Sequence, residues 1–318
     1  MKTGKTLICL AALSILISAC TFNFSLVPPS KPLKERVVEG EGEPKILLMD
    51  LSGVISLSKS SSLLGEKGQS MLEKIRGQLA MAEADKDVAG LIIRIDSPGG
   101  GVAASDLIYH EIMAFKKKKK VPVYAYIMET GASGAYYDAS AADMIVAEPA
   151  ALVGSIGVIA MKFNAEGLFS KIGIQAETYK SGAKKDFWSP FRPSTPAEQQ
   201  MLQSIVNDLY GRFLQIVYKG RHGRISMEKL KSLADGRILT AGQALDDKLV
   251  DKVGYLDDTF ALMKKNLGIK KARLIEYSRA EGGKPNIYSG PTTVINLLNL
   301  GAEAPAGPSL RFYYLWNP

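Results

Sequence analysis

Cysteine is nearly absent from this 318-residue chain: Cys9 and Cys20 are the only two, both at the extreme N-terminus. No disulfide framework can therefore brace the remaining residues. Histidine is as scarce, with only His110 and His222. There is no His-Glu-x-x-His and no Cys-x-x-Cys, so the usual zinc motifs are missing and neither metal nor cofactor is expected. No Gly-Lys-Ser/Thr follows the glycine turn at Gly99-Gly100-Gly101, and its spacing is not Gly-x-Gly-x-x-Gly, which argues against a phosphate loop. The basic run Lys116 to Lys120 has no aromatic interleaving. It reads as a solvated helix end, with cations placed favourably at the C-terminal dipole, and not as a nucleic-acid surface.

What is present is a core-forming chain. Hydrophobic residues make up 46%, enough at this length to stabilise a domain without disulfides. From residue 45 strand-like and helix-like stretches alternate: 46–51, a helix over 69–84, 90–95, a helix over 103–117, 121–128, a helix from Ser133, and 144–147. Strands separated by helices predict crossovers and a mostly parallel sheet, an α/β fold. Residues 196–267 read as largely helical. Thr195-Pro196-Ala197-Glu198 is a helix start, and Leu202, Ile205, Leu209, Phe213, Ile216 and Val217 form one apolar face.

Two glycine turns carry chemistry. In Thr130-Gly131-Ala132-Ser133-Gly134 a strand meets a helix, and a serine there can present its hydroxyl with the Gly134 N–H aimed at a carbonyl oxygen. The Ser97-Pro98-Gly99-Gly100-Gly101 turn can offer a second N–H, from Gly100. A nucleophilic serine needs a base. Neither histidine has a carboxylate near it in a strand-end loop, although triads assemble in space. A lysine can serve once burial lowers its pKa from about 10.4 towards 7–8. The loop Tyr179-Lys180-Ser181-Gly182-Ala183-Lys184-Lys185-Asp186-Phe187-Trp188, after a strand-like 174–179, offers three.

These segments, with Val153-Gly154-Ser155-Ile156-Gly157-Val158, resemble the bacterial signal peptide peptidase A (protease IV) family of serine–lysine peptidases, in its short single-domain form. The resemblance spans residues 46–277. It implies a crotonase-like (Clp protease-like) fold of repeated ββα units. It implies Ser133 as nucleophile and Lys185 as general base, with Lys180 and Lys184 the competing assignments. Ser155 would help hold the base, and Gly100 and Gly134 would form the oxyanion hole. The implied activity is endoproteolysis of cleaved signal peptides and other apolar or unfolded peptides. The implied state is a homo-oligomer whose sites can combine residues of two subunits.

The ends of the chain suggest location. Lys2 and Lys5 precede an apolar run at 7–19 that is short for a membrane span of roughly 20 residues. Ile17-Ser18-Ala19-Cys20 fits a lipobox, so residues 1–19 read as a lipoprotein signal peptide and Cys20 as the lipid attachment site. The domain then lies in the cell envelope, outside the cytoplasm. Residues 20–44 read as a tether, 45–278 as the peptidase domain, and 279–318 as a Gly/Pro-rich tail. The tail ends in Arg311-Phe312-Tyr313-Tyr314-Leu315-Trp316, an aromatic segment expected to dock in a groove of its own subunit or a neighbour's. Two other readings are a non-catalytic, peptide-holding envelope lipoprotein and a coenzyme A thioester enzyme of the crotonase fold.

Overall fold

Hydropathy places the strands, and backbone pairing orders them. The structure, a computed structural model, describes residues 32–59, 69–279, 286–288 and 312–316. Residues 1–19, read as a signal peptide, and Cys20 lie outside the described residues. The strands are β1 (Lys34–Gly40), β2 (Lys45–Ser52), β3 (Val88–Ser97), β4 (Gly99–Gly101), β5 (Val123–Ala132), β6 (Met144–Ala147), β7 (Leu152–Gly154), β8 (Ile238–Thr240), β9 (Lys252–Val253), β10 (Arg273–Ser278) and β11 (Tyr313–Leu315). The main sheet runs β1-β10-β2-β3-β5-β6-β9, and β7 pairs with both β5 and β8. Only β1–β10 and β7–β8 are antiparallel in it. The short β4 pairs antiparallel with β11 in a separate two-stranded sheet.

Because β3 is buried on both faces, its residues alternate between two cores. Leu91, Ile93 and Ile95 join one with Leu47, Met49, Ile108 and Ile112. Ile92 joins the other with Ile46, Leu48, Phe260 and Met263. The first face is covered by α1 (Met71–Ala84) and α2 (Val102–Lys119), the second by α8 (Leu256–Leu267). The remaining helices are α3 (Gly134–Ala139), α4 (Glu166–Lys171), α5 (Pro196–Gly220), α6 (Met227–Leu233) and α7 (Ala241–Asp246). The β3–β4–α2 segment is one ββα unit with its glycine turn in the middle, and the fold of this chain is α/β with a mostly parallel sheet.

Two stretches differ from the sequence reading. Residues 34–40, read as tether from their charge, form β1, which stays mostly exposed and is held by its backbone ladder to β10. A solvated edge strand leaves little hydropathy signal. Residues 174–179 form no strand, and their side chains are exposed. The aromatic end of the tail docks on its own subunit as expected, with Tyr313–Leu315 returning to the body as β11.

Thr195 caps α5 as its sequence predicts. Its hydroxyl accepts from the Glu198 N–H, and the Glu198 carboxylate accepts from the Thr195 N–H. Behind the sheet, Arg221 is buried and makes a bidentate pair with Asp251, at 2.8 and 2.7 Å. Asp251 also accepts from the Ile145 N–H, so this knot holds β6 to the turn before β9.

Candidate active site

At the end of β5 the chain turns sharply into α3, and Ser133 sits at the junction with φ 53° and ψ −117°. A positive φ is costly for a side-chain-bearing residue and is tolerated where surrounding bonds enforce it. Here the Ser133 N–H donates to the Gly154 carbonyl at 2.7 Å, and its carbonyl accepts from Tyr137 at 2.9 Å. Gly134 follows as the first residue of α3, where an N–H has no helical acceptor and is free to bind an anion.

The second glycine turn lies alongside. Ile55 donates to the Gly99 carbonyl at 2.8 Å and accepts from the Gly101 N–H at 2.9 Å. Backbone groups alternate along a strand, so Gly100 points its N–H and carbonyl the other way. Any side chain at Gly100 would collide with the Ile55 backbone, which explains a glycine there.

The side of β4 facing away from Ile55 is occupied by β11. Val102 donates to the Phe312 carbonyl at 3.2 Å and Trp316 to the Pro98 carbonyl at 2.8 Å. These bonds lie four positions apart on each strand, which makes Tyr314–Gly100, midway, the hydrogen-bonded pair between them. The Tyr314 carbonyl thus faces the Gly100 N–H. It is also close to Gly134, where an added Cβ would be 3.1 Å from that oxygen. On its other side β11 exchanges two 3.0 Å bonds with Ile159. The groove between β4 and Ile159 therefore holds an extended strand whose carbonyl lies against the two glycines expected to form an oxyanion hole.

Ser155 follows Gly154 with a positive φ of 50°, is nearly buried, and donates its N–H to the Arg237 carbonyl at 2.7 Å. Ser133, Gly100, Gly134 and Ser155 are thus brought together through β4, β5 and β7. Lys185 is not joined to them. Its side chain is exposed, whereas Ser133 is buried, and no hydrogen bond links the two among the described residues. His110 and His222 are both exposed.

The loop that carries Lys185 is nonetheless built. Asp186 pairs with Arg192 at 2.8 and 2.9 Å, and Arg192 also pairs with Glu198 at 2.7 and 2.9 Å. The Arg192 bonds, with the Thr195 N–H, hold Glu198 down at about 2. Lys180 is committed to Asp186 at 2.7 Å, which leaves Lys184 and Lys185 as the loop's uncommitted ammonium groups among the described residues. Lys162 pins the loop from outside, donating to the Phe187 and Arg192 carbonyls and to Ser194 Oγ. Burial, and then the Arg192 charge, push its pKa down. Sequence reading missed this cluster. Its one signal was Glu198, read only as a helix-start acid.

Below the site, Tyr137 donates to Asp106 at 2.5 Å, and Asp106 also pairs with Arg212. Asp138 is fully buried, and neither carboxylate oxygen has a partner. Burial pushes its pKa well above the usual carboxylate range, and the Asp106 charge adds to this. No described group of His, Cys, Asp and Glu could hold a metal ion. No described helix is long and apolar enough to cross a membrane.

Residues 115–270 match the family described as Peptidase family S49. The chain is 37% identical over 257 residues to the putative signal peptide peptidase SppA of Enterococcus faecium, covering 81% of this chain and 74% of that one. It is 34% identical over 259 residues to the chloroplastic serine protease SPPA of Arabidopsis thaliana, covering 78% of this chain and 37% of that protein. With protease 4 of Haemophilus influenzae it shares 33% over 180 residues, 57% of this chain and 29% of the other. The glycine-flanked serine turn thus sits in a chain that belongs to peptidase family S49, and the protein is a serine endopeptidase.

Proposed function

We propose that this protein is an envelope-anchored endopeptidase that degrades cleaved signal peptides and other extended apolar peptides with a Ser133–Lys185 dyad. The observation that carries this reading is the strand in the groove. A peptide segment lies antiparallel to β4 with one carbonyl against Gly100 and Gly134, beside the Ser133 turn. β-addition of this kind binds backbone and so accepts many sequences, provided they are unfolded. The name of the Enterococcus relative supports signal peptides as substrates.

In the reaction, neutral Lys185 takes the Ser133 proton as Oγ attacks the scissile carbonyl. The N–H groups of Gly100 and Gly134 hold the oxyanion, each good donor contributing about 3–4 kcal/mol. The protonated lysine gives its proton to the leaving amine. Water then hydrolyses the acyl-enzyme, with the lysine again accepting a proton.

Lys185 reaches Ser133 across a subunit boundary. Residues 159–191 support this, because they present Met161, Phe163, Leu168, Ile172, Ile174 and Phe191 to solvent and α4 buries nothing. An exposed apolar arm of this kind marks an interface. A second copy that covers it would exclude water from the lysine loop, the desolvation a lysine base needs. Cys20 supplies the lipid anchor, and the catalytic domain lies outside the cytoplasm.

The test is hydrolysis of a fluorogenic apolar peptide by the full chain and by Ser133→Ala and Lys185→Ala. Both variants should be folded and inactive. Co-refolding the two together should restore part of the activity, because mixed assemblies contain sites with an intact serine and an intact lysine. An active Lys185→Ala protein would remove Lys185 as the base. Mixed assemblies without activity would place the dyad within one chain.

A further inference from the structure

A second serine lies against the Ser133 turn. Ser105, the fourth residue of α2, is 0% exposed, and its Oγ has no hydrogen-bond partner among the described residues. A serine inside a helix can donate to the carbonyl four residues earlier, here that of Gly101, and Ser105 forgoes even that bond. Burying a hydroxyl in this way costs stability, a cost that alanine at the same position would not carry.

The place of the hydroxyl gives it a task. Ser105 Oγ fills the space where a Cβ on Gly134 would stand, so the glycine makes room for it. The Tyr314 carbonyl oxygen lies 3.1 Å from the same point, and the Gly100 nitrogen 3.2 Å. Hydroxyl, bound carbonyl and Gly100 amide therefore converge on one side of Gly134. Gly100 and Ser105 also share a segment, because β4 runs straight into α2. Ile55 holds that segment on both sides of Gly100. The amide and the hydroxyl are thus fixed together relative to the Ser133 turn.

The absence of a bond between Ser105 and the carbonyl in the groove has an electronic reason. A planar carbonyl oxygen has two lone pairs, which the Gly100 and Gly134 N–H groups are placed to fill. When a nucleophile adds to the carbon, the π pair moves onto oxygen. The resulting alkoxide carries a full charge and a third lone pair, so a third donor gains an acceptor at that moment.

We propose that Ser105 is a third oxyanion donor, whose hydroxyl turns from its unpartnered resting position and bonds to the alkoxide of the tetrahedral intermediate only. This rests on the Ser133 peptidase function proposed above. The proton stays on Ser105 throughout, and proton transfer remains with Ser133 and Lys185. A donor that is unpaired in the ground state and paired in the transition state raises kcat without tightening substrate binding.

The test compares the full-length protein with Ser105→Ala and Ser105→Cys on a fluorogenic apolar peptide. It also measures inhibition by the aldehyde of the same peptide, which Ser133 Oγ converts to a hemiacetal with its oxygen in the same site. Ser105→Ala should lower kcat by about 10–100-fold, leave KM unchanged and weaken the aldehyde by a similar factor. Its thermal midpoint should hold or rise, because a buried hydroxyl without a partner has gone. Ser105→Cys keeps the shape of the side chain but donates weakly, so it should behave like Ser105→Ala. A parental kcat in Ser105→Ala, a loss confined to KM, or full activity in Ser105→Cys makes Ser105 a packing residue; each overturns the proposal and leaves the peptidase intact. A parent and a Ser133→Ala variant that hydrolyse the peptide alike overturn the nucleophile, and the Ser105 assignment with it.

Discussion

The Ser133 amide donates to the Gly154 carbonyl at 2.7 Å, and this bond ties together two turns that both need a positive φ. Ser133 and Ser155 take such values with side chains attached, while Gly154 reaches 110°. The strain at Ser133 is thus borne by pairing between the ends of β5 and β7.

Gly154→Ala tests that coupling. The new Cβ would sit 3.0 Å from the Arg237 carbonyl on a backbone that L-residues avoid. Relief requires β7 to move, and the Ser133 amide loses its acceptor geometry. We expect a loss of about 1–3 kcal/mol in stability and a fall in kcat larger than the rise in KM. Thermal denaturation and steady-state kinetics on one preparation measure both. An unchanged kcat would uncouple the turns.

Asp138 gives a prediction of opposite sign. Its carboxyl is buried without partners, and burial raises its pKa above the ordinary 3.8. Below 3.8 the folded and unfolded chains are both protonated there. As pH rises above that value, the unfolded chain releases the proton first, so this residue costs stability increasingly until the folded group ionises too. Asp138→Asn removes the titration. The variant should match the parent at pH 3 and exceed it by about 1–3 kcal/mol at neutral pH. Denaturant midpoints across this range decide it, and a constant difference would show that Asp138 does not titrate between the two states.

The Ser133 and Gly100 turns were legible in the sequence because glycine beside a strand end reports close backbone approach directly. The Thr195 capping box was legible because its four residues are contiguous. Lys185 could be named by resemblance, but its exposed position apart from Ser133 could not, since the path of a loop depends on contacts that form only on folding. β1 escaped for a related reason. It is held by a backbone ladder to distant β10, and main-chain hydrogen bonds leave no mark on side-chain periodicity. Ser105 escaped as well, since it meets Gly134 only when α2 packs against α3.

The lysine loop has its own acid limit. Arg192, with the Thr195 N–H, holds Glu198 at about 2 against an ordinary 4.5. A carboxylate with a depressed pKa contributes stability that is fully present above 4.5 and is lost as pH falls through 2. Trp188, in this loop, should therefore change its fluorescence over that window in the parent. In Glu198→Gln the window should vanish and the loop should be loosened at every pH. A Trp188→Phe control separates this signal from that of Trp316. A transition that persists unchanged in Glu198→Gln would assign it to another carboxylate.

Arg221 and Asp251 form a buried pair whose removal should depend on which partner is removed. Burial alone would raise the Asp251 pKa, yet the Arg221 bonds and charge, the Ile145 N–H and the Arg224 charge together outweigh it and the net shift is downward. Arg221→Met strands that charge, a change that typically costs about 3–5 kcal/mol. Arg224 also reaches Asp251, at 2.9 Å, so the lower end of that range is expected here. Arg221 further donates to the Lys248 carbonyl, and the adjacent Leu249 carbonyl accepts from the Tyr136 hydroxyl of α3. Loosening this turn should therefore reach the helix that begins at Gly134 and lower kcat as well as stability. Replacing both partners, Arg221→Met with Asp251→Leu, removes the stranded charge and should recover part of the stability. It should not recover kcat, because the Lys248 carbonyl still lacks its donor and α3 still lacks its brace. A double variant that recovers stability and kcat together would confine Arg221 to charge compensation.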